Sequence, residues 1–279
     1  MFKRFFINGP KDLLNRLIVW RIAKVSERNF LYLLSFVVGI FSGLAALLLK
    51  NLIHFVAEEL TQVIVVDGFS YLYLLYPFIG ILLTVLFVKY IIRDNIGHGV
   101  SKILYSISKK GSKIKSHNSY SSMVASSLTI GFGGSVGLEG PTVATGTAWG
   151  SWLARVFRLN YKNTILMLAC ACAGAMAAIF KAPIAAIVFA VEVIMIDLTV
   201  FSLVPLLLAS ASAVVTSYFF LGQDALYPFQ VVKTFELADL PYYIVLGIVT
   251  GFVSVYFTKM YLFFGEQFEK LKNNKIRLT

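Results

Sequence analysis

At 279 residues, 58% of them hydrophobic and 14% charged, the chain is too apolar for a disordered segment or an ordinary soluble domain, in which about a quarter of residues are charged. In a soluble protein the net charge of +11 would suggest a nucleic-acid partner. Here the lysines and arginines gather at the ends of apolar runs, as in a membrane protein that obeys the positive-inside rule, so no nucleic-acid partner is expected. The fold class that follows is all-α: a polytopic integral membrane protein sited in the bilayer.

Residues 1–29 carry Lys3, Arg4, Lys11, Arg16, Arg21, Lys24 and Arg28 among Leu13, Leu14, Leu17, Ile18, Trp20 and Ile22. This pattern predicts a cytoplasmic amphipathic segment lying on the membrane surface; a solvated tail with some helix fits nearly as well. The basic start leads into amphipathic rather than continuously apolar sequence, unlike a cleavable signal. A first span over Leu31–Leu49 holds Ser35, Gly39, Ser42, Gly43, Ala45 and Ala46, small residues that let helices approach closely. His54, Glu58, Glu59 and Asp67 mark its outer end and a loop, with His54 read as interfacial.

A second span over Tyr71–Ile92 is closed by Arg93 and Asp94. Gly97-His98-Gly99-Val100-Ser101 follows, then an amphipathic segment over 102–108 and a basic loop with Lys109, Lys110, Lys113 and Lys115. Two crossings return the chain to its starting side, so this loop and the N-terminus are both expected to be cytoplasmic. The stretch Ser119–Ile130 is too short to cross alone. It leads into Gly133-Gly134-Ser135-Val136-Gly137-Leu138-Glu139-Gly140-Pro141. There one carboxylate stands in a glycine-rich break, and Pro141 reads as the first residue of a helix. An ionisable side chain at membrane depth is a functional hypothesis by default. A helix N-terminus beside it offers backbone N–H groups and a positive dipole end to an anion.

Apolar, small-residue segments then run over Thr142–Phe157 and Lys162–Phe180. Lys181-Ala182-Pro183 breaks the second, and Ile184–Ile196 follows, carrying Glu192 and ending at Asp197. A further span covers Phe201–Leu221. The expected organisation is a first transmembrane repeat over residues 30–221, a loop over 222–240, another helix over 241–265 and a charged tail over 266–279. Cys170 and Cys172, two apart on a helix, point in different directions, which favours neither a disulfide nor a metal site. No metal and no cofactor are expected. Interrupted helices of unequal length, with unwound backbone tolerated only where protein or water surrounds it, are how transporters build ion sites at the midplane. A small anion is the expected cargo.

These motifs together resemble the CLC family of chloride channels and proton-coupled anion transporters. Gly137-Leu138-Glu139-Gly140-Pro141 is similar to the family's G-[KR]-E-G-P, and Gly97-His98-Gly99-Val100-Ser101 to its G-S-G-I-P. Gly174–Pro183 followed by Phe189-Ala190-Val191-Glu192 is similar to its G-x-x-A-x-F-x-A-P…F-x-x-E run. The order and spacing agree over about residues 30–265, and three blocks in order are more specific than any one. The resemblance implies an inverted-repeat fold with tilted and broken helices, a homodimer with one pore per subunit, and movement of chloride or a similar small anion across the membrane, with protons as a possible second cargo. A bacterial inner, or plasma, membrane is the implied location, with the N-terminus cytoplasmic. The family's second repeat carries a G-x-F-x-P motif and a central Tyr. Neither is found, and Gly251-Phe252 does not continue into the motif. The chain is therefore expected to be about half to two-thirds of a transport domain, either a fragment or one of two chains, without the family's cytoplasmic nucleotide-binding domains.

By the same resemblance Glu139 matches the external gating glutamate: it would occupy the anion path when charged and swing away when protonated. The other reading is a glutamate that only caps helix N–H groups. Leu138 removes the motif's positive charge, which lowers electrostatic attraction of anions. Gly97, His98, Gly99 and Val100 on one side, and Gly137, Leu138 and Gly140 on the other, form the implied anion-binding set. His98 stands where Ser is usual. Either its imidazole N–H donates to the anion, or it packs aside and the Gly99 and Val100 amides do the binding. Glu192 ends the third block, and Val193 falls where proton-coupled members often carry an internal glutamate. Lys181 and Pro183 form the helix break, with Lys181 facing either an aqueous vestibule or a carboxylate such as Glu192. A fluoride- or other anion/proton antiporter of the same family is the alternative function. A polytopic membrane enzyme using Glu139 and His98, or a non-conducting fragment, is the alternative of another class, and no enzymatic activity is expected.

Overall fold

A computed structural model describes residues 24–64, 75–94, 99–109, 111–112, 114–197, 199–222 and 236–270. Two compact units divide the chain, Met1–Leu226 and Tyr227–Thr279. Among the described residues every regular element is helical. The first unit contains α1 (Glu27–Ile64), α2 (Tyr76–Leu86), α3 (Gly99–Lys109), α4 (Asn118–Gly131), α5 (Glu139–Val156), α6 (Tyr161–Phe180), α7 (Pro183–Ile194) and α8 (Val200–Leu221). The second contains a short 3₁₀ turn, Leu237–Asp239, and α9 (Leu240–Glu269).

Helix α6 is the axis of the first unit. The Asn160 side chain starts it by accepting from the Asn163 N–H at 2.8 Å. Its residues from Leu166 to Ile179 are all buried, packed by α1, α5, α7 and α8. Lipid tails are as apolar as leucine, so helices associate in a membrane through close van der Waals contact and buried hydrogen bonds. The alanines and glycines of α6 provide the first. A Cβ on Gly174 would stand 2.6 Å from Ser42 Oγ, and 3.3 Å from both the Ala209 carbonyl and the Gly39 Cα. Thus α1, α6 and α8 meet backbone to backbone. Gly146 and Gly150 of α5 do the same against Ala171, Ala175 and Met167 of α6. Hydroxyls provide the second: Ser212 donates from α8 to the Phe36 carbonyl of α1 at 3.1 Å, and Ser217 to the Ala178 carbonyl of α6 at 2.8 Å. Cys170 and Cys172 lie fully buried in this core as free thiols.

The described helices long and apolar enough to cross a membrane lie over Glu27–Glu59, Tyr161–Phe180, Val200–Leu221 and Leu237–Phe268. Helices α4 and α7, with 14 and 12 residues, reach only about 20 Å at 1.5 Å per residue, short of the ~30 Å hydrocarbon core. Neither crosses it alone.

Several boundaries differ from the sequence expectation. Helix α1 runs well past Leu49 to Ile64, because no glycine or proline interrupts it after Gly43. Helix α5 begins at Glu139, so Pro141 is its third residue rather than its first; the missing proline N–H costs nothing anywhere in a first turn. Helix α9 starts at Leu240 and continues to Glu269, through residues read as the charged tail. Residues 1–23 and 223–235 of the amphipathic segment and the loop, and the tail beyond Lys270, lie outside the described residues.

Candidate functional site

The break before Glu139 is shaped by local hydrogen bonding. At the end of α4 the Gly133 N–H donates to Ile130 O and the Gly134 N–H to Thr129 O, both at 2.9 Å. This paired closure needs a left-handed residue, and Gly133 supplies it with φ +82° at no Cβ cost. The chain then turns away and reaches α5 within five residues. Leu138 precedes the helix without a side-chain cap. Its carbonyl accepts from the Thr142 N–H at 3.0 Å and from Thr142 Oγ1 at 2.6 Å.

Glu139, half-buried at the first position of α5, turns its carboxylate back over Gly137, and a Cβ on Gly137 would run into Glu139 Oε2. The glycine is therefore space for the carboxylate. A Cβ on Gly140 would meet nothing within 4 Å, so Gly140 leaves open the surface beside the helix start. The N–H groups of Glu139 and Gly140 belong to the first turn, where the helix provides no carbonyl, and the helix dipole points its positive end there.

Leu138 reaches an apolar cluster built from Ala46 and Leu49 of α1, Met123 of α4, Ala178 and Ile179 of α6 and Ala213 of α8. Phe180 packs on the same cluster. The start of α5 and the end of α6 thus meet, and the apolar Leu138 anchors the loop where the motif usually has a cation. At the end of α6, Lys181 adopts the left-handed conformation (φ 53°) and Pro183 opens α7. Lys181 Nζ donates to the Gly222 carbonyl at 2.6 Å and lies 5.0 Å from the Tyr218 ring centre. Its ammonium thus reaches the end of α8. Glu192 is exposed on α7, and Val193 packs partly against the main core.

Gly99 opens α3 and Val100 packs on the main core; Gly97 and His98 lie outside the described residues. One group of residues escaped sequence reasoning. Asp94 Oδ2 accepts from Lys115 Nζ at 2.6 Å and lies 2.8 Å from His117 Nε2. The hydrogen bond from Lys115 is the main reason, with that from His117, that the Asp94 carboxyl is held down at about 2 despite partial desolvation. The signal was a lone acid and two bases flanking α3, which only the fold brings together. Among the described residues, no group of three His, Cys, Asp or Glu side chains is placed to hold a metal ion.

The family model described as voltage gated chloride channel matches residues 79–279. The chain belongs to the voltage-gated chloride channel family. The H(+)/Cl(-) exchange transporter ClcA of Vibrio cholerae is 26% identical over 277 residues, covering 95% of this chain and 58% of the relative. The chloride channel protein CLC-f of Arabidopsis thaliana is 28% identical over 155 residues, or 54% of this chain and 20% of the relative. The crystal structure of a CLC-type fluoride/proton antiporter superposes with a TM-score of 0.73 at 27% identity, over 89% of this chain and 62% of that one. A slow cyanobacterial Cl-/H+ antiporter, 19% identical with a TM-score of 0.74 over 91% of this chain, shares the fold. The chain thus spans less than two-thirds of the length of these relatives, and within that span it is an all-α integral membrane protein with the CLC fold.

Proposed function

We propose that the whole protein carries chloride or a similar small anion across the membrane, with Glu139 as the protonatable gate. The observation that carries this reading is the Glu139 carboxylate itself. It is folded over Gly137 at the N-terminus of α5, where backbone N–H groups and the helix dipole favour negative charge. A charged carboxylate occupies that position in place of an anion; protonation removes the attraction and lets the side chain leave. The start of α3, with Gly97, His98, Gly99 and Val100, is the proposed second half of the site. Gly137, Leu138 and Gly140 shape the first. The capping alternative leaves Glu139 on its own helix and predicts no effect on flux.

Valine at 193 offers no proton acceptor, and Glu192 is the only carboxylate on α7. This favours anion flux with weak proton coupling. The fluoride/proton antiporter among the structural relatives supports fluoride as the alternative cargo. A homodimer in a bacterial inner membrane, with the N-terminus cytoplasmic, completes the proposal; no enzymatic step is part of it.

The test is ion flux from liposomes containing the full-length protein, read with chloride, fluoride and proton electrodes. Glu139→Gln is expected to abolish the pH dependence of flux and any coupled proton movement. Flux and pH dependence equal to the parent would overturn the gating assignment, and fluoride flux well above chloride flux would select the alternative cargo.

A further inference from the structure

Between α2 and α4 the charged side chains converge on Asp94. Helix α2 ends in a π-helical turn over Phe87–Ile92. Arg93 closes it in the left-handed conformation, with its N–H donating to Val88 O at 2.8 Å and its Nε to Tyr90 O at 3.1 Å. Asp94 comes next. It faces Lys115 at 2.6 Å from the connection before α4 and His117 at 2.8 Å from the residue that opens α4. Lys102, in the first turn of α3, adds positive potential. On its other edge, His117 Nδ1 lies 3.3 Å from Ser121 Oγ.

The connection that supplies Lys115 is itself tied to α5. Ser151 Oγ donates to Ser112 O at 2.9 Å, and the Ile114 N–H donates to Ser151 Oγ at 3.1 Å. Arg155 Nη1 donates to Ile114 O at 2.6 Å. One helix therefore carries Glu139 at its first residue and, from Ser151 to Arg155, about three to four and a half turns later, holds the segment that holds Asp94.

We propose that Asp94 is a positioning residue for the anion site: clasped by Lys115 and His117, it ties the end of α2 and the start of α3 to α5, and so sets the Gly99-Val100 helix start against Glu139. The proposal rests on the anion-site reading above. A single exposed ion pair is worth little. Here one carboxylate collects two donors at hydrogen-bond distance and is only 27% exposed, so screening by water is incomplete.

The test measures flux in the full-length protein reconstituted in liposomes, against internal anion concentration. Asp94→Asn is expected to raise the half-saturating anion concentration about fivefold or more while changing maximal flux less, the pattern of weakened binding rather than of a lost transport step. Asp94→Glu restores most of the affinity. His117→Gln and Lys115→Gln, each of which alters one of the two donors to Asp94, show the same change in smaller degree. Parent-like half-saturation in Asp94→Asn and Lys115→Gln, or a fall in maximal flux and melting temperature with no change in half-saturation, overturns the proposal. If Glu139→Gln removes gating as expected while these variants leave affinity unchanged, the positioning proposal alone fails. Absence of saturable anion flux in the parent removes the anion-site reading and this proposal with it.

Discussion

At Gly137 the backbone is ordinary and the side chain is what matters. Its missing Cβ is the space that Glu139 occupies. Gly137→Ala is therefore expected to fold normally but to displace the carboxylate, giving flux that has lost much of its pH dependence; liposome flux at pH 5 and 7.5 reads this. Leu138 shows the opposite case. It stands where the family motif has a cation, yet its side chain packs on the apolar cluster that includes Ala46, Leu49 and Met123. Leu138→Arg gives up part of a leucine's burial, about 1 kcal/mol of stability for a half-buried side chain, and gains anion attraction. A lower melting temperature with tighter external anion binding is the expected pair of outcomes. For Asp94 the sign of the pH effect follows from its lowered value. The carboxyl titrates at about 2 in the fold against 3.8 ordinarily. Its clasp contributes stability at every pH above about 4 and loses it as pH falls towards 2. Melting temperatures of the solubilised protein at pH 3 and 5 are expected to differ more in the parent than in Asp94→Asn.

Among the helices, the tightest constraint is the crossing of α1, α6 and α8. Gly174 meets Ser42, Ala209 and Gly39 so closely that even alanine forces backbones apart, at about 1–3 kcal/mol by overpacking. Gly174→Leu is expected to leave no folded protein by fluorescence-detected size exclusion. Helix α8 also begins with a reciprocal cap. Thr199 Oγ1 accepts from the Ser202 N–H at 3.3 Å, and Ser202 Oγ accepts from the Thr199 N–H at 2.9 Å. Thr199→Ala is expected to cost about 1 kcal/mol with little change in flux, because the cap lies away from Glu139 in sequence and serves only the helix end.

Across the molecule, the first unit buries the small residues of α6 and also exposes large apolar side chains on its outer helices. Val188 of α7 and Val215 and Phe219 of α8 are exposed, which suits lipid or the face of a second copy. The charge pattern makes a testable statement about orientation. Single cysteines at Lys109 and at Lys24 are expected to react with an impermeant thiol reagent from the same side of the membrane, in a background with Cys170 and Cys172 replaced. The native pair, fully buried in α6, is expected to stay unreactive until the protein is unfolded.

Much of this was readable along the chain because the signals are local. Apolar run length marked the spans, and the short run over Ser119–Ile130 marked a helix that cannot cross. The glycine-rich run marked the break from Gly133 onwards, and a carboxylate in an apolar setting marked Glu139. The end of a helix depends on what its last turn meets, so α1 and α9 outran their expected bounds and α5 began two residues before its proline. Side-chain destinations depend on residues far apart in sequence. Lys181 finds Gly222, Leu138 finds four other helices, and Asp94 finds Lys115 and His117 across α3. The sequence alone determined the membrane and the helices and singled out Glu139 as the proposed gate, because hydropathy, backbone freedom and charge act at each residue. Only the tertiary structure decided what surrounds Glu139, because contact energies belong to pairs that the fold brings together.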